Sequence, residues 1–91
     1  MTATEEFKWN ADHRNLAKYT MAMAVMMTGA AAHRIRRFEE AGLFKPQRTG
    51  NKQRLYSDID IELIRRIVSL ENNGVNLPGI KFILDMQEKE K

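Results

Sequence analysis

The sequence predicts an all-α fold with a small β-hairpin, ordered as a winged helix-turn-helix. Three observations carry that expectation. Two short helical segments meet at Thr28-Gly29, and a helix pair joined by a short glycine turn is the helix-turn-helix pattern. A basic stretch centred on Gly50-Asn51-Lys52 then reads as two short strands around a tight loop. Two more apolar helical stripes follow, opened by Ser57 and Asn76.

Length and charge set the frame. Ninety-one residues suit one small domain with a thin core, so added stability from a partner subunit or a ligand is plausible. Cysteine is absent, which excludes disulfides, thiol catalysis and cysteine-ligated metal within this chain. No apolar run approaches the roughly 20 residues needed to span a bilayer, and residues 1–11 lack the pattern of a signal peptide. A soluble, intracellular protein is therefore the expectation. The net charge of +3 conceals an uneven distribution. Residues 33–57 hold seven basic side chains against two acidic ones, a local +5; residues 1–32 balance, and residues 58–91 come to −2. One concentrated cationic surface suits a polyanion.

Each element has its own signal. Residues 7–18 carry apolar anchors at Phe7, Trp9 and Leu16 without a clean stripe, so a short helix and a packed arm are equally compatible; residues 1–6 are polar and expected to fray. Residues 21–27 form a compact apolar helix with Met21, Ala24, Val25 and Met27 able to face inward. A second helix spans about residues 31–41. Ala31, Ile35 and Phe38 share one side of its wheel, and His33, Arg36, Arg37 and Glu40 the other, with Arg34 flanking. Gly42 ends it. In the hairpin, residues 45–49 and 53–57 flank the loop, with Leu55 expected inward and Arg54 and Tyr56 outward. Ser57 caps the third helix, Asp60 supplies a negative first turn, and Leu63, Ile64, Ile67 and Leu70 form its buried stripe. Asn73-Gly74 closes it. Asn76 caps the fourth helix, where Pro78 is tolerated in the first turn and Ile80, Ile83 and Leu84 face inward.

This ordered set resembles the DNA-binding domain of MerR-family transcription regulators. The pieces are Tyr19-Thr20, Thr28-Gly29, Ile35-Arg36-Arg37-Phe38-Glu39, Gly42-Leu43, Lys45-Pro46, Arg48-Thr49 and Arg54-Leu55-Tyr56-Ser57 with Asp60. The segment Asn76-Leu77-Pro78-Gly79-Ile80-Lys81 is similar to the branch containing the glutamine-synthetase and heat-shock repressors. The resemblance implies an arm over residues 1–18, a winged helix-turn-helix DNA-binding domain over 19–86, and a tail over 87–91 where family members continue toward dimerisation and effector regions. It also implies a repressor acting as a homodimer on a pseudo-palindromic operator of double-stranded DNA, without cofactor, metal or catalysis. Two departures stand out. Ala30-Ala31-Ala32 opens the second helix where a polar cap is usual, an omission worth roughly 1 kcal/mol. Arg37 stands where a tyrosine is common.

Eight side chains are candidates for DNA contact. His33, Arg34 and Arg37 would reach base edges or nearby phosphates from the major groove, with Arg36 on the backbone. Arg48, Lys52, Arg54 and Tyr56 would form the wing, its cations gripping phosphate and the Tyr56 hydroxyl donating to one. Blander readings stay open: a solvated charged helix face, an Arg54 paired with Glu39 or Glu40, and a Tyr56 packed on the core. Glu39 and Glu40 diverge by about 100° and lack an accompanying nucleophile, so structural pairing suits them better than acid–base work. His13 and His33 lack a ligand frame for metal, and no phosphate-binding glycine loop is present. Met23 and Met26 project away from the core side, which a partner or the residue 7–19 arm would cover. Two other functions remain compatible: an architectural, excisionase-like DNA-bending protein, and a protein-interaction module using the Met-rich helix.

Overall fold

The computed structural model describes residues 13–89, with side chains described through Gln87. Its elements run α1 (Met21–Thr28), α2 (Ala32–Glu40), β1 (Gln47–Arg48), β2 (Arg54–Leu55), α3 (Asp58–Asn72) and α4 (Leu77–Lys89). From Met21 onward, the helix, helix, hairpin, helix, helix order read from the sequence is the order observed. Phe7, Trp9 and the fraying expected of residues 1–6 lie outside the described residues.

The turn between α1 and α2 is built by local hydrogen bonds. The Thr20 hydroxyl accepts from the Met23 amide and caps α1, while Gly29 closes it at φ 75°, a left-handed conformation that costs glycine nothing. The Thr28 hydroxyl donates to the Ala24 carbonyl at 2.7 Å and accepts from the Ala30 amide at 3.2 Å. Ala24 and Ala30 are buried, and their small side chains allow α1 to approach its neighbours closely. Ala31 then opens α2 with extended backbone and no side-chain cap, as its identity dictates. Ile35 and Phe38 turn fully inward, and the helix terminates at Gly42, where φ is 80°.

The hairpin is shorter than the sequence suggests. Gln47 pairs with Leu55 and Arg48 with Arg54, antiparallel, and the loop is tied by Thr49, whose hydroxyl accepts from the amides of Asn51 and Gln53. Lys52, rather than Gly50, takes the left-handed conformation, at φ 62°. Tyr19 and Tyr56 add one antiparallel bridge beyond β2, with N–O distances of 2.9 and 2.8 Å. That bridge turns the expected alternation around. Tyr56 is fully buried and Leu55 only partly so, which corrects the outward placement of Tyr56.

Ser57 and Asp60 form a reciprocal capping box at the start of α3. The deepest residues of α3 are Ile61, Ile64 and Ile67, with Leu63 and Leu70 at the margin, so the buried stripe begins two residues earlier than the sequence reading placed it. The Asn76 side chain accepts from the Gly79 amide at 2.9 Å at the start of α4, and Ile80 is fully buried. The core thus gathers Ala24, Ile35, Phe38, Tyr56, Ile61, Ile64, Ile67 and Ile80 from four helices and the end of the wing. Burying these side chains fixes α2 against α3, so the polar face of α2 has one orientation relative to the hairpin.

Candidate nucleic-acid interface

The outer face of α2 follows from its inner one. Because Ile35 and Phe38 are buried, residues about half a turn away must face solvent, and His33, Arg36 and Arg37 are exposed. Arg34 lies at the edge of that face with its side chain 26 % exposed. Its guanidinium sits 5.9 Å from the Phe38 ring centroid, and Nε donates to Glu71 Oε1 at 2.8 Å. Arg34 Nη2 also reaches Asn72 Oδ1 at 3.1 Å. Arg37 Nη2 donates to the other oxygen of the same carboxylate, Glu71 Oε2, at 2.8 Å, while half of the Arg37 side chain stays in solvent.

A second carboxylate organises the wing. Glu39 accepts from Arg54 Nε at 2.6 Å and from Arg48 Nη2 at 3.1 Å. Arg48 Nη1 additionally caps the Lys52 carbonyl at 3.0 Å, holding the loop against its own strand. The hydrogen bond to Glu39 raises the Arg54 pKa further, so this guanidinium remains charged at any relevant pH. Lys45 and Lys52 are exposed. Glu39 therefore joins the inner edge of α2 to both strands, and the two groups of cations belong to one rigid surface.

The eight candidate residues divide unequally. His33, Arg36, Arg37, Arg48 and Lys52 are exposed, and Arg34 and Arg54 are half-buried in ion pairs. Tyr56 does not belong with them. Its ring is packed 6.2 Å from that of Phe44, its hydroxyl points to Met21 Sδ at 3.7 Å, and burial pushes its pKa up. A phosphate contact from this hydroxyl is ruled out by its complete enclosure.

Other functional contacts had no signal in the residue pattern. Glu71 and Asn72 lie more than thirty residues from the arginines they hold. Arg65 donates from Nε and Nη2 to the Met27 carbonyl at 3.1 and 2.7 Å, placing a cation at the negative end of α1. Behind the wing, Asp58 accepts from the Tyr19 hydroxyl at 2.6 Å and from Lys18 Nζ at 2.9 Å, and these two hydrogen bonds lower its pKa. Arg14 pairs with Glu62 at 2.6 Å, so residues 14–19 are stitched along the first turns of α3. Among the described residues there is no cluster of His, Cys, Asp and Glu able to hold a metal ion. Nor is any helix there long and apolar enough to cross a membrane.

Residues 19–87 match the family described as "MerR HTH family regulatory protein". The chain belongs to the MerR family. Its relatives include a protein named as heat shock protein HspR in Streptomyces coelicolor, 35 % identical over 72 residues that cover 78 % of this chain and 48 % of HspR. The transcriptional regulator GlnR of Bacillus anthracis is 33 % identical over 79 residues, 87 % of this chain and 61 % of GlnR. The branch to which the Asn76–Lys81 segment is similar is thus represented among these relatives. This MerR-family chain spans about half to three-fifths of the length of these relatives. Among solved structures it resembles HiNmlR, a MerR-family regulator lacking the sensor domain, determined bound to promoter DNA. The TM-score is 0.74 at 26 % identity, covering 80 % of this chain and 56 % of HiNmlR.

Proposed function

We propose that this chain binds double-stranded DNA sequence-specifically and regulates transcription, as a homodimer on a pseudo-palindromic operator. The observation that carries the reading is the single cationic surface on which Glu39 locks the arginine-bearing face of α2 to the hairpin. A helix with an exposed Arg36-Arg37 pair suits the major groove, where planar guanidinium groups pair bidentately with guanine. The wing cations Arg48, Lys52 and Arg54 suit phosphates alongside it, where they fix position and carry no sequence information. A soluble regulator of this kind needs no cofactor and performs no catalytic step. Residues 1–18 would serve as an arm, 19–86 as the DNA-binding unit and 87–91 as a tail, with repression the direction that the resemblance of the Asn76–Lys81 segment to the glutamine-synthetase and heat-shock repressors favours.

The test is selection of bound duplexes from a random DNA pool at physiological salt. A single two-fold symmetric site supports a dimeric regulator, because two copies of α2 related by a dyad read inverted half-sites. Several adjacent non-palindromic sites would replace the proposal with an architectural, DNA-bending role. Absence of any enriched sequence would contradict sequence-specific binding.

A further inference from the structure

Glu71 is hard to explain as a contributor to helix stability. It lies in the last turn of α3, a turn without a basic residue, where the negative end of the helix dipole disfavours an anion. It also subtracts a charge beside the cationic face of α2, which a purely electrostatic grip on phosphate would disfavour. Yet its carboxylate is three-quarters enclosed and both oxygens are used, Oε1 on Arg34 and Oε2 on Arg37, at 2.7 and 2.8 Å.

The two arginines emerge from this clamp in different states. Arg34 is held at two nitrogens, Nε by Glu71 and Nη2 by Asn72, and its guanidinium lies over the Phe38 ring. Arg37 gives up one nitrogen only, and its side chain remains 52 % exposed. A long side chain pinned at one corner of its guanidinium has lost most of its rotamers before any ligand arrives, and the unpinned donors face outward in a set direction. Arg34, braced from below, keeps the carboxylate itself from swinging.

We infer that Glu71 is a specificity-determining positioning residue: through Arg34 as a strut, it aims Arg37 at base edges rather than leaving it to sample phosphates. The inference rests on the proposed DNA-reading role of α2 and deepens it. It makes Arg37 the base-reading residue of this surface and Arg34 part of its support. Loss of the clamp trades discrimination for non-specific affinity.

The experiment compares wild type, Glu71→Gln, Arg37→Ala and the double variant. Each binds the duplex recovered by selection and a scrambled duplex of equal length, with a thermal melt run on every variant. Glutamine is isosteric and leaves one acceptor, so the fold should survive. The expected result for Glu71→Gln is a loss of about tenfold in the ratio of selected to scrambled affinity, the scale of one bidentate base contact. Scrambled affinity should hold or rise severalfold. In the Arg37→Ala background the same substitution should leave the ratio unchanged. Should Glu71→Gln melt below the assay temperature, Glu71→Asp, which keeps the charge but withdraws it by one methylene, is read by the same ratio. A ratio unchanged by the substitution, equal shifts on both duplexes, or an undiminished effect without Arg37 overturns the inference alone. A wild-type chain that does not distinguish the two duplexes overturns the DNA-reading site together with it.

Discussion

Replacing Tyr56 by phenylalanine separates the core role of this side chain from a role on DNA. The tyrosine is fully enclosed, its ring set obliquely against Phe44, and among the described residues its hydroxyl has only the Met21 sulfur, a weak acceptor, at 3.7 Å. Deleting that contact should cost about 0.5 kcal/mol, the low end for a neutral hydrogen bond, and leave duplex affinity within about twofold of wild type. Tyr56→Ala removes the whole ring and should cost about 3–5 kcal/mol, a large part of the roughly 5–15 kcal/mol that holds a small domain folded. Were the hydroxyl instead a phosphate donor, Tyr56→Phe would lose a charge-assisted bond of about 1.5–3 kcal/mol, or tenfold and more in affinity. Urea denaturation and duplex titration on the same preparations distinguish the cases. A tenfold loss of affinity with an unchanged denaturation midpoint would refute the burial argument.

Two further substitutions probe the elements on either side of the interface. Hydrogen bonds from Tyr19 and Lys18 hold Asp58 below the ordinary value of 3.8, so its contribution to stability is present above that pH and is lost as the pH falls through the lower folded value. Asp58→Asn should therefore lower the melting temperature near neutrality and flatten its decline below pH 3.8; an acid limb as steep as wild type would contradict this. Ala31 opens α2 in the extended conformation that a capping residue requires, without a side chain to cap. Ala31→Ser and Ala31→Asp should each add about 1 kcal/mol of stability. Only the aspartate should weaken duplex binding, severalfold at low salt, because it sets an anion where α2 would meet phosphate. Equal affinity for both variants would remove the α2 N-terminus from the interface.

Local signals carried most of the fold. Thr28-Gly29, Gly42, Ser57 with Asp60, and Asn76 all act within a few residues of themselves, and each terminates or caps the element the sequence assigns to it. The wing fared worse because its register depends on a distant segment. Tyr56 faces inward since Tyr19, thirty-seven residues earlier, bridges to its backbone, and period-two alternation contains nothing about that partner. Ile61, which the sequence reading left out of the buried stripe, is among the deepest residues of α3. At the candidate site, exposure of Arg36 and Arg37 follows from helical spacing alone. The two carboxylates that hold four arginines do not, since Glu71 reaches the α2 arginines from α3, more than thirty residues further along the chain. The sequence left Arg54 open to pairing with Glu39 or Glu40; the partner is Glu39, and its simultaneous hold on Arg48 had no signal there.

The salt dependence of duplex affinity, for wild type and for the Arg36→Ala/Arg37→Ala pair, tests the central claim most directly. If the α2 face and the wing grip DNA, the logarithm of affinity falls linearly with the logarithm of salt, at a slope near −0.9 for each phosphate neutralised. The paired substitution should cost about tenfold or more in affinity for the selected duplex, and the loss of the Arg36 phosphate contact should make the slope shallower by about one unit. Affinity that is indifferent to salt, or a double variant that binds the selected duplex as tightly as wild type, would contradict the account.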